Sequence, residues 1–248
     1  MFVFDEINNK KILKSTLITK PIHFFTTRET VITHNDIDEY KLLADINKKE
    51  IAEYLNIRQD RIITPQQTHS ANISVAKYDV TYPQTDALIV EDPNIAIALN
   101  FADCTPVILY DEGNNIGAVV HAGWKGTAAA IVSKTVDFME KKYFTNPQNI
   151  SAVIGPAISM KNYQVDESVF LQLKNTLNNE YNDYFKFDEI NKKYYVDLKT
   201  INLHQLQELG VQRIDKCEYC TYDSIDVFFS YRRENGITAR HSAILKLN

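Results

Sequence analysis

Two short apolar runs, Val107–Tyr110 and Ile116–Val120, stand on either side of Asp111-Glu112-Gly113-Asn114-Asn115. Runs of strand length joined by a polar, Gly- and Asn-bearing connection predict a hairpin. In an antiparallel pair the start of one strand lies beside the end of the other. Cys104 precedes the first run and His121 follows the second, so the pairing brings a thiol and an imidazole to one end of a sheet. That combination fits a metal site or a Cys–His nucleophile pair. It also fits a buried free cysteine beside a hydrogen-bonded histidine.

The next residues, His121-Ala122-Gly123-Trp124-Lys125-Gly126-Thr127, form a Gly-bearing turn that leads into a helix. Thr127 is the expected N-cap, and Ile131, Val132, Thr135, Phe138 and Met139 trace one face beyond it. Free N–H groups at such a junction favour an anion, and Lys125 adds a charge there.

With 248 residues the chain is one large domain or two small ones. Hydrophobic residues make up 44% and charged residues 24%, enough for a sizeable core. A net charge of −5 and a pI near 5.7 argue against nucleic-acid and anionic-membrane partners. Apolar runs fall well short of the roughly 18 residues of a membrane span. The acidic start Met1-Phe2-Val3-Phe4-Asp5-Glu6 does not read as a signal peptide. Three cysteines fit a reducing cytoplasm better than a disulfide framework.

Residues 1–20 are polar, rich in Lys and Asn, and read as a variable segment. Strands are expected at Ile22–Thr27, Arg61–Thr64, Asn72–Ala76, Ala87–Val90, Ile95–Asn100, Ile150–Ile154, Tyr194–Val196, Val227–Tyr231 and Ala243–Leu247. Helices are expected over Asp36–Leu55, Asp166–Leu177 and Leu198–Leu209, the last stopped by Gly210. Glu180–Lys193 reads as an irregular excursion. His69 falls in the polar break Pro65–Ser70 between two strands, where functional groups are commonly displayed. Cys217-Glu218-Tyr219-Cys220 lacks a second ligand pair and reads as a coincidence of spacing. On a strand, Arg232 and Arg233 would point to opposite faces, one toward a site and one to solvent. Strand pairs mixed with helices, with no linker, predict a single-domain α+β layered fold.

These residues resemble a known family. Gln67-Thr68-His69-Ser70, Ala102-Asp103-Cys104, His121 to Gly126, Gly155-Pro156-Ala157-Ile158, Cys220-Thr221-Tyr222 and Phe228 to Arg233 match, in order, the YfiH family. It is also called the laccase-domain or peptidoglycan editing factor family. The resemblance spans roughly residues 22–247 and implies a four-layer α/β sandwich with mixed sheets, occupying residues 1–248. It implies one zinc on His69, Cys104 and His121, with copper as a possible substitute, and purine nucleoside phosphorylase activity. The implied substrates are adenosine, inosine and S-methyl-5′-thioadenosine, with adenosine deaminase activity alongside. Two positions depart from the family pattern: Thr26-Thr27-Arg28 lacks the Gly-Gly pair that follows it elsewhere, and Thr238-Ala239-Arg240 lacks the glycine of TGR. A multicopper oxidase needs about four coppers held mostly by imidazoles. Six histidines with no H-x-H pair cannot supply that set.

Two imidazoles and a thiolate leave one tetrahedral position of zinc free, as catalytic zinc requires. The expected phosphate ligands are Arg28, Lys125, Arg233 and Arg240, with Asp103 in proton transfer and Cys104 and His121 at the reacting centre. The partners are then a purine nucleoside and phosphate, with the chain as monomer or homodimer. Two other readings stand beside this one. In the first, Cys104 and His121 act as nucleophile and base of an amidase editing peptidoglycan precursors. In the second, the chain is a non-catalytic, zinc-stabilised partner protein.

Overall fold

Alternation of side chains along the strands sorts the chain into four layers. A computed structural model describes residues 1–34, 37–177 and 182–248. Along it run β1 (Phe2–Ile7), β2 (Lys10–Ser15), β3 (Ile22–Thr26), α1 (Asp38–Tyr54), β4 (Ile62–Ile63), β5 (Ile73–Val75), β6 (Ala87–Val90) and β7 (Ala96–Phe101). Next come β8 (Thr105–Asp111), β9 (Ile116–Ala122), α2 (Trp124–Ala128), α3 (Ile131–Tyr143), β10 (Ile150–Ile154), β11 (Gln164–Val165) and α4 (Glu167–Lys174). The chain ends with β12 (Phe185–Asp188), β13 (Lys193–Val196), α5 (Leu198–Glu208), β14 (Arg213–Lys216) and β15 (His241–Lys246). One sheet has the order β1-β2-β3-β15-β7-β4, a second β14-β10-β8-β9-β6-β5, and a small third β11-β13-β12.

Residues of one parity bury between the two large sheets: Phe25, Leu99 and Leu245 from the first meet Leu88, Ile108 and Val119 from the second. Residues of the other parity face outward. Phe24, Ala98 and Ile244 pack under Ile51 and Leu55 of the α1 layer. Val107, Val120 and Ile154 pack under Val136 and Met139 of α3 and Leu206 of α5. Helix, sheet, sheet, helix is thus the period-2 pattern read out in three dimensions. Each fully buried Leu or Ile contributes about 1.5–3 kcal/mol to that packing. The sheets approach closely: a Cβ on Gly117 would lie 2.5 Å from Leu245 Cδ2.

The hairpin forms as expected, with Thr105 opposite Ala122 and Pro106 opposite His121. Ala87–Val90 and Ile150–Ile154 keep their expected bounds. Several expectations are corrected. Residues 1–20 contain a two-strand edge, turned at Asn8 and Asn9, both at positive φ. Val227–Tyr231 is not a strand but a series of turns, because Val227 and Phe228 N–H bond back to the Ser224 carbonyl. Thr127 is not an N-cap: α2 starts after Gly123, and a left-handed Ala130 (φ 54°) separates α2 from α3. The helix expected from Asp166 ends at Lys174 rather than Leu177. The first residue of the helix expected over Asp36–Leu55 lies outside the described residues, as do the first two of the excursion Glu180–Lys193. The described part of that excursion includes β12, which pairs with β13.

Candidate metal centre and cavity

The chain crosses from the first large sheet to the second twice at the same end. Both crossings carry functional side chains. Between β4 and β5 runs the loop with His69, and between β7 and β8 the turn with Asp103 and Cys104. His121 lies near the end of β9, with the parity of Val119, so it faces the gap between the sheets. His69 and Asp103 hold φ at 62° and 86°. A non-glycine residue in that region costs of order 1–3 kcal/mol and persists where surrounding contacts fix it.

His69, Cys104 and His121 offer three ligand atoms within 4.8 Å of one another. They grade from exposed His69 through half-buried Cys104 to buried His121. A Cβ on Gly123 would lie 2.9 Å from both Cys104 Sγ and His69 Cδ2. The absent side chain therefore leaves the space in which the three donors meet.

Asp86, which the sequence reading missed, organises this corner. Its fully buried carboxylate accepts the backbone N–H groups of Thr68 (3.2 Å), His69 (3.0 Å) and Ser70 (2.7 Å), and the Ser70 hydroxyl (2.6 Å). It also bonds His121 Nδ1 at 2.8 Å. Burial alone would raise the Asp86 carboxyl; the bonds from His121 and Ser70 outweigh it and hold it well below the usual carboxylate range. Burial likewise opposes charge on Cys104 and His121. Mutual attraction overrides it, lowering the thiol and raising the imidazole. With Nδ1 occupied, His121 turns Nε2 toward the cluster, the usual role of a carboxylate behind a metal-binding histidine. In the sequence the place of Asp86, just before the apolar run Ala87–Val90, reads like that of any turn aspartate.

The cluster lies in the wall of a cavity of about 620 Å³, which Lys125 and Arg240 also line. Arg28 and Arg233 do not line it. Arg28 bonds Tyr40 and Glu234, and Arg233 bonds the carbonyls of Thr221, Tyr222 and Phe228 as well as Glu234. Both clasp the 221–234 loops from behind rather than offering a free guanidinium. Arg232, expected only as one of a pair, is the one that reaches the cavity. Asp103 lines it too, but its oxygens accept Thr221 Oγ1 (2.6 Å), Ser230 Oγ (3.0 Å) and the Arg232 N–H (2.7 Å). Its carboxylate anchors the loop. Cys217 is sealed in the core, where burial pushes its thiol up to about 12. Cys220 accepts bonds from the Ser159 N–H and Asn162 Nδ2. Neither joins a metal-holding group among the described residues.

Residues 24–248 match the family described as multi-copper polyphenol oxidoreductase laccase. The chain belongs to this laccase-domain family. It is 32% identical over 199 residues to a purine nucleoside phosphorylase of Bacteroides thetaiotaomicron, covering 75% of this chain and 73% of that one. Among solved structures, YlmD from Geobacillus stearothermophilus superposes with a TM-score of 0.89 at 26% identity, covering 99% and 98% of the two chains. YfiH from Bacillus licheniformis superposes with a TM-score of 0.83 at 30% identity, covering 91% and 92%. The α+β fold is thus the fold of this family. The multi-copper part of the description does not fit this chain. Among the described residues one three-donor group is present, against the four coppers such chemistry needs.

Proposed function

We propose that the chain is a zinc-dependent purine nucleoside phosphorylase of the cytoplasm. It acts on inosine, adenosine and S-methyl-5′-thioadenosine, with adenosine deamination as a side activity. The observation that carries the reading is the two-imidazole, one-thiol cluster in the wall of a cationic cavity. The activity itself comes from the names of the relatives. His69, Cys104 and His121 would hold the zinc; copper, which outcompetes zinc at most N/S sites, would be an adventitious substitute. A zinc with one free position supplies a Lewis acid to the site.

The residues of the chain then divide the remaining work. In phosphorolysis the bond from C1′ to the base nitrogen breaks, and a bond from C1′ to a phosphate oxygen forms. The electron pair leaves with the base, which takes up a proton. Arg240, half-buried near Cys104, is fixed by Nη1 bonds to the Thr238 and Ala239 carbonyls and keeps further N–H donors for phosphate. Lys125, exposed on the solvent side of the lining, draws anions in. Trp124, Tyr163 and Tyr231 offer aromatic faces to a purine.

Inosine and phosphate should yield hypoxanthine and ribose 1-phosphate, and this should vanish together with bound zinc in His69→Ala and Cys104→Ala. A protein loaded with one zinc per chain that forms no hypoxanthine would overturn the reading. A second reading rests on the series Asp86–His121–Cys104, which has the order orienter, base and nucleophile of a cysteine hydrolase. Such an enzyme would trim amides such as peptidoglycan precursors. A metal-free protein with rapidly alkylated Cys104 would favour it; bound zinc shielding that thiol would favour the first.

A further inference from the structure

Three aromatic side chains line the cavity, and each holds a cation near its ring. Lys125 Nζ lies 5.6 Å from the centre of Trp124, Arg232 Cζ 5.3 Å from that of Tyr163, and Arg240 Cζ 5.6 Å from that of Tyr231. All six residues face the cavity. None of the three cations has a carboxylate partner among the described residues. Arg28 and Arg233 just behind the wall share Glu234, and Lys161 pairs with Asp223. Asp103 is the one acid in the lining, and its oxygens already accept bonds from Thr221, Ser230 and Arg232. Unpaired positive charge gathered in a concave wall is a field built for an anion.

The cations sit at two depths. Arg240 is half-buried, while Lys125 and Arg232 are exposed and so stand on the solvent side of the lining. Arg232 is nonetheless fixed: its backbone N–H donates to Asp103, and its Nη1 donates to the Gln164 carbonyl at 3.0 Å. The rest of its guanidinium fork is left for a ligand. On the proposed reading, the phosphate consumed in the reaction would use Arg240, the least exposed of the three. An uncharged nucleoside leaves the outer pair without a partner.

We propose that the outer pair, Lys125 and Arg232, binds a 5′-phosphoryl group, so that the cavity takes nucleoside 5′-monophosphates more tightly than uncharged nucleosides. This rests on the reading of the cavity as a nucleoside site. The ribose ring separates C1′ from its 5′ substituent, so one end of the substrate faces Arg240 while the other faces the outer pair. The bond changes are those of nucleoside phosphorolysis, and the sugar product becomes ribose 1,5-bisphosphate.

The test is calorimetric titration of the zinc-loaded protein with inosine, inosine 5′-monophosphate and ribose 5-phosphate. The monophosphate should bind about tenfold more tightly than inosine at low ionic strength, with the advantage shrinking as salt is added. It should also bind more tightly than ribose 5-phosphate, which lacks the base. Arg232→Gln, a change at an exposed position, should bring the monophosphate-to-inosine ratio to about one. Equal affinity for the two in the unaltered protein, or a ratio unmoved by Arg232→Gln, overturns the inference. Failure of inosine to bind at all removes the nucleoside reading on which it stands. Inosine binding with no preference for its monophosphate removes this inference alone.

Discussion

Two imidazoles neighbour the Phe101 ring, and they have opposite fates. His121 lies 5.2 Å from the Phe101 ring centre and His241 lies 6.3 Å from it, and both are buried. His121 has Asp86 behind it and Cys104 before it, which together favour its charged form against the cost of burial. His241 packs on Phe101 and Phe228, and neither of its nitrogens makes a well-formed hydrogen bond. Burial drives its pKa down to about 3, and the nearby charges of Arg240 and Arg28 push the same way; the Pro156 carbonyl only partly offsets this. Depth in the protein therefore does not decide which of the two imidazoles favours its charged form; the carboxylate and thiol beside His121 do.

Removing the carboxylate should have the largest effect. Asp86→Asn keeps an acceptor for the 68–70 loop but loses the charge that orients His121. Outer carboxylates of this kind are worth about 10- to 100-fold in metal affinity. Zinc competition against a chelating dye should show a loss near the upper end of that range, because the same carboxylate also holds His69 through its backbone N–H. Affinity within threefold of the parent would mean that His121 keeps its orientation without Asp86, and the contrast with His241 would collapse.

The second test makes His241 show its cost. Above pH 6.5, the ordinary value, it is neutral in both folded and unfolded chains and stability does not depend on it. Between about 6.5 and about 3 the unfolded chain holds a proton that the folded one refuses, so stability falls as acid is added. The slope is about 1.4 kcal/mol per pH unit. His241→Leu should remove that component. Urea unfolding of parent and variant at pH 6 and pH 5 should therefore diverge by roughly that amount. Parallel curves would show that the imidazole finds a partner or water in the fold.

What the sequence disclosed and what it hid follow from the same distinction between local and distant causes. Ala87–Val90 is wholly apolar and Ile150–Ile154 is apolar but for Ser151; both are bounded by turn-forming residues, and burial on both faces leaves their limits plain. The two ends of the β8–β9 hairpin are tied by register, so Cys104 and His121 could be paired from spacing alone. Asp86 could not: its partners lie 16–18 and 35 residues away, and nothing local tells a buried clamp from a turn aspartate. Val227–Tyr231 has strand-like composition, but its place is set by Asp103, more than 120 residues distant, which accepts the Ser230 hydroxyl. The Asn8-Asn9 turn leaves little trace in the hydrophobic pattern because its flanking edge strands carry charges on both faces, at the consecutive Asp5-Glu6 and Lys10-Lys11.

The smallest effect is the one that asks whether the two imidazoles are independent. Phe101 is fully buried and touches both rings, so any coupling between His121 and His241 through packing would pass through it. Phe101→Leu keeps the site apolar and removes part of the ring volume, a loss expected to cost about 1 kcal/mol. If the carboxylate partner alone sets the fate of His121, zinc affinity should stay within about threefold of the parent while the melting temperature drops by a few degrees. If Phe101→Leu instead weakens zinc as much as Asp86→Asn does, the ring is part of what orients the ligand. The two histidines would then be one packed unit with a charge at one end.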